Sequence, residues 1–307
     1  MSLRESAITA VEDCMDVRQN ESVVVVTDER KISIGRAIHE VAGEYAEDSV
    51  LIETEAHEQH GKEPPSTVAA AMKEADVIFI PTTASCTHTN ARLDACENGT
   101  RCASMPGITE EMMLGAVNAD YIEVQEMAER YLEVLDGKET MRLVSEAGTD
   151  LTLDVGGREW IPDTGICHEP GENTNLPAGE VFISPVSGDG VLVIDGSMAG
   201  SGVVEEPIEI EFEDGRAVDI SNPELAKLVD EAGDCGRNLA ELGIGLNPEA
   251  ELVGDVLQDE KVFGTIHVAI GDSSGFGGDV ECSIHLDGIV KNPTVEVDGR
   301  PIEIGSS

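Results

Sequence analysis

The sequence predicts an α/β fold with an N-terminal parallel α/β domain, followed by a mostly antiparallel, β-rich α+β domain. Three observations support this prediction. Short β-branched runs alternate with helix-like segments in the first half, as in parallel α/β layers. After Gly137, short runs separated by Gly, Pro and Asp dominate, and only one helix-like segment interrupts them. We therefore expect an N-terminal α/β domain at 1–140 and a second domain at 141–307.

In the first half, the run SVVVVT at 22–27 predicts a buried strand, because consecutive β-branched residues are typical of strands covered on both faces. The apolar run VIFIP at 77–81 predicts another. The remaining predicted elements are strands at 49–53 and 101–104 and helices at 34–47, 66–75, 89–97, 109–117 and 121–135.

In the second half, alternating or short apolar runs bounded by turn residues predict strands. One amphipathic stretch, 223–232, predicts a helix. The predicted strands are 141–145, 151–155, 181–184, 190–195, 208–212, 217–220, 264–270, 282–286, 294–297 and 302–304.

The chain is strongly acidic, with 62 acidic and 19 basic residues among 307 and a formal charge of −43. This charge argues against a nucleic-acid or anionic-membrane binder, because phosphate contacts need Lys and Arg. The acids are dispersed through an ordinary globular pattern, so we expect a folded halophilic protein suited to a salt-rich cytoplasm. Its melting temperature should be low in dilute buffer and rise in molar KCl; an unchanged melting temperature would contradict this.

The seven cysteines are odd in number and include no Cys-X-X-Cys pair, which indicates reduced thiols rather than a disulfide framework. No N-terminal apolar leader and no run long enough to cross a bilayer is present in the sequence. We expect a soluble, cytoplasmic protein.

The candidate site with the most support is built on two histidines near the end of the chain. If 282–289 is extended, His285 and Asp287 leave the strand on the same face. With His267 from a neighbouring strand, they would form a 2-His-1-carboxylate set suited to a divalent transition metal. The alternative is an exposed polar pair, but both segments are apolar and the chain has only seven histidines.

Two carboxylates could join these histidines. Glu180 follows a Pro-Ala-Gly turn at the start of an apolar strand, where a carboxylate is costly to bury unless it is paired or bound to metal. Glu241 lies in a nearly apolar segment that turns through Gly243 and Gly245. The alternative for each, in so acidic a chain, is a solvated side chain.

Four motifs resemble the thermophilic metalloprotease family of aminopeptidases, the aminopeptidase T or leucyl aminopeptidase type (peptidase family M29). The resemblance extends over most of the chain and would make the protein an acidic, haloarchaeal-type member. The segment 85–109 also looks like the N-terminal domain of shorter members. The motifs are LPAGEVF at 176–182, ELGIGLNP at 241–248, GTIHVAIG at 264–271 and HLD at 285–287.

The resemblance implies a two-domain homodimer that removes N-terminal residues from peptide substrates. It also implies two divalent ions, Zn, Co or Mn, held by Glu180, Glu241, His267, His285 and Asp287. Glu180 is our candidate for the bridging and catalytic carboxylate. Glu241 could take the proton of a metal-activated water, or it could be a plain ligand.

Two departures from the family pattern keep other functions open. Peptidase members carry a tyrosine a few residues after the first histidine, whereas 272–276 reads DSSGF, and the spacing from His267 to His285 is short. The oxyanion stabiliser is therefore missing or supplied elsewhere. One alternative is a ring-cleaving dioxygenase of the same superfamily, with a single non-haem Fe(II) on His267, His285 and Asp287. Another is a non-catalytic metal-binding relative.

Overall fold

The computed structural model describes residues 2–305 and has the α/β class that the sequence predicts. The chain divides into two compact units. Unit 1 comprises Met1–Gln125 and Asp163–Ala178, and unit 2 comprises Glu126–Pro162 and Gly179–Ser307. The segment Asp163–Ala178 thus returns to unit 1 after the chain has begun unit 2. A division into domains at residue 140 stays a prediction.

The helices and strands are numbered in chain order. The helices are α1 (Leu3–Ile8), which continues into a π-helical stretch (Thr9–Cys14), α2 (Ile32–Tyr45), α3 (Ser66–Glu74), α4 (Asn90–Glu97), α5 (Glu110–Leu114), α6 (Tyr121–Leu135), α7 (Pro223–Ala232) and α8 (Val256–Asp259). Two short 3₁₀ turns lie at Ala116–Asn118 and Asp234–Arg237.

The strands are β1 (Ser22–Asp28), β2 (Asp48–Thr54), β3 (Val77–Thr82), β4 (Arg101–Pro106), β5 (Thr140–Val144), β6 (Asp150–Asp154), β7 (Ile161–Asp163), β8 (Asn173–Asn175), β9 (Glu180–Ile183), β10 (Ser187–Ile194), β11 (Ser197–Met198), β12 (Gly202–Val203), β13 (Ile208–Glu213), β14 (Arg216–Ile220), β15 (Leu239–Gly245), β16 (Ile266–Gly271), β17 (His285–Val290), β18 (Thr294–Val297) and β19 (Arg300–Ile302).

Unit 1 contains a five-stranded parallel sheet in the order β2-β1-β3-β4-β8. Its central strand β3 is buried along its whole length, as the run VIFIP predicts. The helices α3 and α4 pack on this sheet through a cluster that includes Val68, Met72, Ala91 and Ala95. The strand β8, which was not predicted, comes from the returning segment Asp163–Ala178.

Unit 2 contains two seven-stranded antiparallel sheets. The first has the order β14-β13-β10-β6-β5-β18-β19 and alternates buried and exposed residues, for example along Ile208–Glu213. The second, which we call the site sheet, has the order β12-β11-β17-β16-β15-β9-β7. In its middle, β15 and β16 are buried along their whole length.

The main error of the secondary-structure prediction concerns β15. The sequence analysis predicted a turn through Gly243 and Gly245, whereas the segment is a continuous central strand. The physical reason is close packing: a Cβ at Gly243 would overlap with the ring of His267, and one at Gly245 would overlap with the carbonyl oxygen of Val262. The glycines therefore mark close approaches rather than chain reversals.

The expectation that all cysteines are free thiols is also wrong for one pair. Cys235 and Cys282 form a disulfide in unit 2, with their Cα atoms 5.5 Å apart. The pair is separated by 47 residues, so its proximity depends on tertiary structure that the cysteine spacing does not reveal. The five other cysteines are free.

None of the helices within residues 2–305 is both long enough and apolar enough to span a membrane.

Candidate metal centre

The candidate site lies on one face of the site sheet, across the four adjacent strands β9, β15, β16 and β17. Side chains of directly paired residues project from the same face, so the strand register decides which residues meet. It puts Glu180, Glu241, His267, His285 and Asp287 on one face. The pairs that set this face are Glu180 with Gly245, Phe182 and His267 with Gly243, Glu241 and Asp287 with Ala269, and His285 with Gly271.

Small residues on this face make room for the imidazoles. A Cβ at Gly243 would overlap with Nε2 and Cε1 of His267, so the ring can lie across β15 only because this position is glycine. Ala269 lies between the carboxylates of its two cross-strand partners. Small residues on this face thus leave room for the buried functional groups.

The functional groups form two overlapping clusters that share Glu241. In the first, Nε2 of His267 lies 3.1 Å from Oε2 of Glu180 and 3.2 Å from Oε1 of Glu241. In the second, Nε2 of His285 lies 3.4 Å from Oε2 of Glu241 and 3.4 Å from Oδ1 of Asp287. We call these the Glu180 half-site and the Asp287 half-site. Glu241, rather than Glu180 as the sequence analysis expected, is the carboxylate common to both.

The two histidines differ in their second ring nitrogen. Nδ1 of His285 lies 2.7 Å from the carbonyl oxygen of Asp272, which can only accept, so Nδ1 carries the hydrogen in the neutral ring. This leaves the Nε2 lone pair free for a cation, as metal-ligating histidines usually have it. Nδ1 of His267 is buried and has no hydrogen-bond partner among residues 2–305.

Buried carboxylate oxygens without partners indicate that a cation fits here. Oε2 of Glu180 and Oδ1 of Asp287 are buried and accept no hydrogen bond from residues 2–305. Although Oε2 of Glu180 is close to Nε2 of His267, that nitrogen is aligned with Glu241 instead. Ligands at right angles around an ion, each at about 2.1 Å, would lie about 3 Å apart. The observed spacings of 3.1–3.4 Å fit such a cage.

The electrostatics of the cluster favour positive charge. Burial works to lower the pKa of His267, but the close contacts and negative charges of Glu180 and Glu241 outweigh it, and the pKa lies well above its usual value. For His285, burial is likewise outweighed by Asp287 and Glu241, so that its pKa is also raised. Burial works to raise the pKa of Glu241, yet the two histidines lower it to about 2. Without metal, protons on the imidazoles would therefore compensate the carboxylates.

A buried lysine that the sequence analysis missed contacts Glu180. Lys261 is fully buried, and its Nζ lies 2.5 Å from Oε1 of Glu180 and 2.5 Å from Oε1 of Glu260. Burial raises the pKa of Glu260 to about 8, against the effect of Lys261 and with a contribution from Glu180. The only sequence signal was a lone basic residue ahead of the apolar pair Val262 and Phe263 in a chain poor in basic residues.

Aromatic rings border the Asp287 half-site. The ring of Phe276 meets that of His285 edge to face at 5.5 Å and that of Phe182 at 5.7 Å. Phe276 belongs to the segment in which M29 peptidases would carry a tyrosine, and it offers no hydroxyl group. Arg158 holds the same loop by donating to the carbonyl oxygen of Gly277 and, at 2.7 Å, to Oδ2 of Asp279.

A family model described as NicX, 2,5-dihydroxypyridine 5,6-dioxygenase, matches residues 7–305. The chain belongs to this family. No curated protein matches the sequence. The family match favours the dioxygenase alternative of the sequence-based prediction over the resemblance to M29 aminopeptidases.

Two solved structures share the fold over nearly the whole chain. The 2,5-dihydroxypyridine dioxygenase from Pseudomonas putida KT2440 is 19% identical with a TM-score of 0.83, over 99% of this chain and 97% of that one. Wild-type AmpT from Thermus thermophilus is also 19% identical, with a TM-score of 0.73, over 98% of this chain and 96% of that one. At this identity the likeness concerns the fold. The dioxygenase and the aminopeptidase thus share this fold, so the fold does not decide between the two functions considered in the sequence analysis.

Proposed function

We propose that this protein is a metal-dependent dioxygenase that cleaves the ring of a dihydroxypyridine or a closely related hydroxylated heteroaromatic compound. The observation that carries the proposal is the family match over residues 7–305. The set of buried imidazoles and carboxylates on the site sheet supports it, because two histidines and a carboxylate are typical ligands of Fe(II) in oxygenases. This was the alternative function in the sequence analysis, and it now has more support than the aminopeptidase.

The proposed ligands of Fe(II) are His267, His285 and Asp287, with Glu241 facing both imidazoles from the middle of the cluster. When bound, Fe(II) would supply the one-electron chemistry that activates oxygen towards an electron-rich ring. The chain contributes the geometry: the bond from Nδ1 of His285 to the carbonyl oxygen of Asp272 fixes the ring plane.

The remaining groups suit a flat, hydroxylated substrate. Phe182 and Phe276 form an apolar border against which an aromatic ring could stack. Glu241, with a pKa of about 2, is ionised at neutral pH and could accept a hydrogen bond from a ring hydroxyl group. Arg158 restrains the loop that carries Phe276, which would keep the border in place.

A metal-dependent aminopeptidase remains the second candidate, because the two half-sites that share Glu241 resemble a bridged two-metal centre. Two observations weigh against it. Phe276 cannot stabilise an oxyanion as a tyrosine would, and Lys261 already compensates the charge of Glu180.

The test is to reconstitute the metal-free protein with Fe(II) under anaerobic conditions, add 2,5-dihydroxypyridine and air-saturated buffer, and record oxygen uptake together with loss of the ring absorbance. In parallel, the protein loaded with Zn, Co or Mn is assayed on short peptides with a free N-terminus. We expect oxygen uptake with Fe(II) only, and its loss in Asp287→Asn but not in Glu205→Gln, a change at an exposed carboxylate.

Peptide hydrolysis without oxygen uptake would favour the aminopeptidase and overturn the proposal. Metal binding with neither reaction, across a series of hydroxylated pyridines, would overturn it in favour of a non-catalytic metal-binding relative.

A further inference from the structure

We propose that Lys261 acts as a built-in cation that takes the place of a second metal ion, so that the site binds a single divalent ion around Glu241. The inference rests on the proposed function only in that the cluster binds a divalent ion. It names Lys261, which none of the sequence motifs includes, as the residue that decides the metal stoichiometry.

The first observation is the position of the ammonium group. Nζ of Lys261 lies 2.5 Å from both Oε1 of Glu180 and Oε1 of Glu260, and the lysine side chain is 0% exposed. The other oxygen of Glu180, Oε2, is the one that faces His267. The ammonium group thus compensates the charge of Glu180 through one oxygen, and an ion bound at the other oxygen would have this fixed positive charge as a neighbour.

The second observation is that the backbone fixes Lys261 in this position. Asn247 donates its N–H to the carbonyl oxygen of Lys261 at 2.8 Å, and Phe263 donates to the carbonyl oxygen of Asn247 at 3.1 Å. The strand pair of Glu180 is Gly245, and only a glycine there lets the backbone of Val262 pass so close. Lys261 is therefore placed beside Glu180 by main-chain contacts and not by a flexible surface stem.

The third observation is the contrast between the half-sites. Among residues 2–305, the basic side chain that contacts the cluster does so on the Glu180 side, while the carboxylates of the Asp287 half-site form their ion pairs with histidine only. A divalent ion on the Glu180 side would stand beside a fixed ammonium group in a buried, poorly screened setting, where like charges repel strongly. A single ion held by His267, His285 and Asp287 beside Glu241 would not need Glu180 as a ligand. Single occupancy follows.

Removing the lysine charge should open the second position. In Lys261→Met, a side chain of similar length fills the space, and Glu180 and Glu260 lose their shared cation. Both carboxylates would then be available to a second ion on the Glu180 side of the cluster. Lys261→Arg keeps the positive charge and is the matched variant at the same position. Lys227→Met, which removes a lysine whose side chain is 77% exposed, controls for the loss of one positive charge anywhere on the chain.

The experiment loads each metal-free protein with Zn(II), removes excess ion by gel filtration and measures zinc per chain by elemental analysis. We expect about one ion per chain in the wild type, Lys261→Arg and Lys227→Met, and about two in Lys261→Met. Two ions in the wild type, or one ion in a folded Lys261→Met protein, would overturn the inference.

A second variant decides the matter if Lys261→Met does not fold. Since Glu180 is paired with Lys261, Glu180→Gln should still hold about one Zn(II) per chain; loss of that ion would show that Glu180 is a metal ligand and would overturn the inference. The outcome is separable from the proposed function. The zinc count needs no substrate. If the wild type binds one ion and Lys261→Met binds two, but neither cleaves a ring, only the proposed dioxygenase activity is refuted.

Discussion

The molecule buries charge in two ways, and the contrast separates a structural ion pair from a functional cluster. In unit 1, Arg101 is 2% exposed and fully engaged: Nη2 bonds Glu21 at 2.6 Å, and Nη1 donates to the carbonyl oxygen of His168 at 3.1 Å. In the candidate metal centre, one oxygen each of Glu180 and Asp287 and a ring nitrogen of His267 have no hydrogen-bond partner among residues 2–305. They are three of the five such buried side-chain atoms among residues 2–305.

The contrast teaches that burial alone does not mark a functional charge. A buried group that is left unpaired costs free energy, so it persists where something outside the chain completes it. The pair of Arg101 and Glu21 is complete without a ligand, whereas the site sheet holds buried acceptors without a hydrogen bond, which a bound cation would satisfy. The predictions below test whether the two regions respond differently to the same kind of change.

The largest expected effect is the loss of an imidazole at the metal centre. His267→Gln removes a nitrogen within 3.2 Å of two carboxylates, and we expect metal affinity to fall by more than about 100-fold, because even partners of metal ligands account for 10- to 100-fold. Oxygen uptake should fall with it. The measurement is a metal titration of the chelator-treated protein.

The matched control is His39→Gln in unit 1, where the imidazole bonds the hydroxyl group of Ser49 at 2.8 Å. Metal affinity should not change in this variant. An equal loss in both variants would mean that the effect is a general loss of folding, and the contrast between the two regions would fail.

Breaking the buried ion pair of unit 1 should lower the stability of the protein rather than its metal affinity. Arg101→Met leaves the carboxylate of Glu21 without its buried partner, and we expect the free energy of unfolding to fall by about 3 kcal/mol. Metal content per folded chain should stay as in the wild type. Urea unfolding followed by circular dichroism measures the first quantity, and elemental analysis of the folded fraction measures the second. A loss of metal without a loss of stability would contradict the assignment.

Two glycines test the close packing of the site. Gly243→Ala would place a methyl group in the ring of His267, and we expect metal affinity to fall by about 10- to 100-fold as the ring is displaced. Gly43→Ala, at an exposed position of α2 where the nearest atom is 3.8 Å away, should stabilise the protein by about 0.5–1 kcal/mol. Unchanged metal affinity in Gly243→Ala would show that the ring of His267 does not need its present position.

The sequence predicted the fold class and most strands and helices, because the parallel layer of unit 1 has strong local signals. The run SVVVVT became β1, and Pro223–Ala232 became α7 as predicted. The segment Asp163–Ala178 carried no such signal: its strand β8 is three residues long, and it pairs with β4 far earlier in the chain. Strand pairing between segments so far apart in the sequence produces no periodic pattern of apolar residues from which it could be predicted.

At the candidate site, the five predicted side chains lie together, but their arrangement could not be predicted from the sequence. The spacing of His285 and Asp287 placed both on one face, since alternate residues of a strand do so. That Glu241 is shared depends on the register between β15 and β16, and the contact of Lys261 with Glu180 depends on a close backbone approach at Gly245. Neither register nor close approach has a signature in a single sequence.

The smallest expected effect concerns pH. A rise in pH should lower the stability of the metal-free protein but raise its affinity for metal. In the metal-free protein, the pKa values of His267 and His285 lie above their ordinary value because charged carboxylates outweigh burial. The contribution of the protonated histidines to stability is thus complete below about pH 6.5, the unfolded value, and is lost as the pH rises through the higher folded values. Metal binding must displace the same protons.

We therefore expect metal affinity to rise with pH, by up to tenfold per pH unit for each proton displaced, and to level off once the pH exceeds the raised pKa values of the two folded-state histidines. The measurement is calorimetric titration of the metal-free protein in buffers of different ionisation enthalpy, which counts the protons released per ion. The number of protons released per ion should fall by about one in His267→Gln, which leaves His285 in place, and should not change in Arg101→Met, because only the first change removes a proton-binding group from the cluster. Metal binding without proton release at pH 7 would mean that the imidazoles are neutral before the metal arrives. Asp287 would then have no positively charged neighbour before the metal binds, and the contrast with the ion pair of unit 1 would be larger.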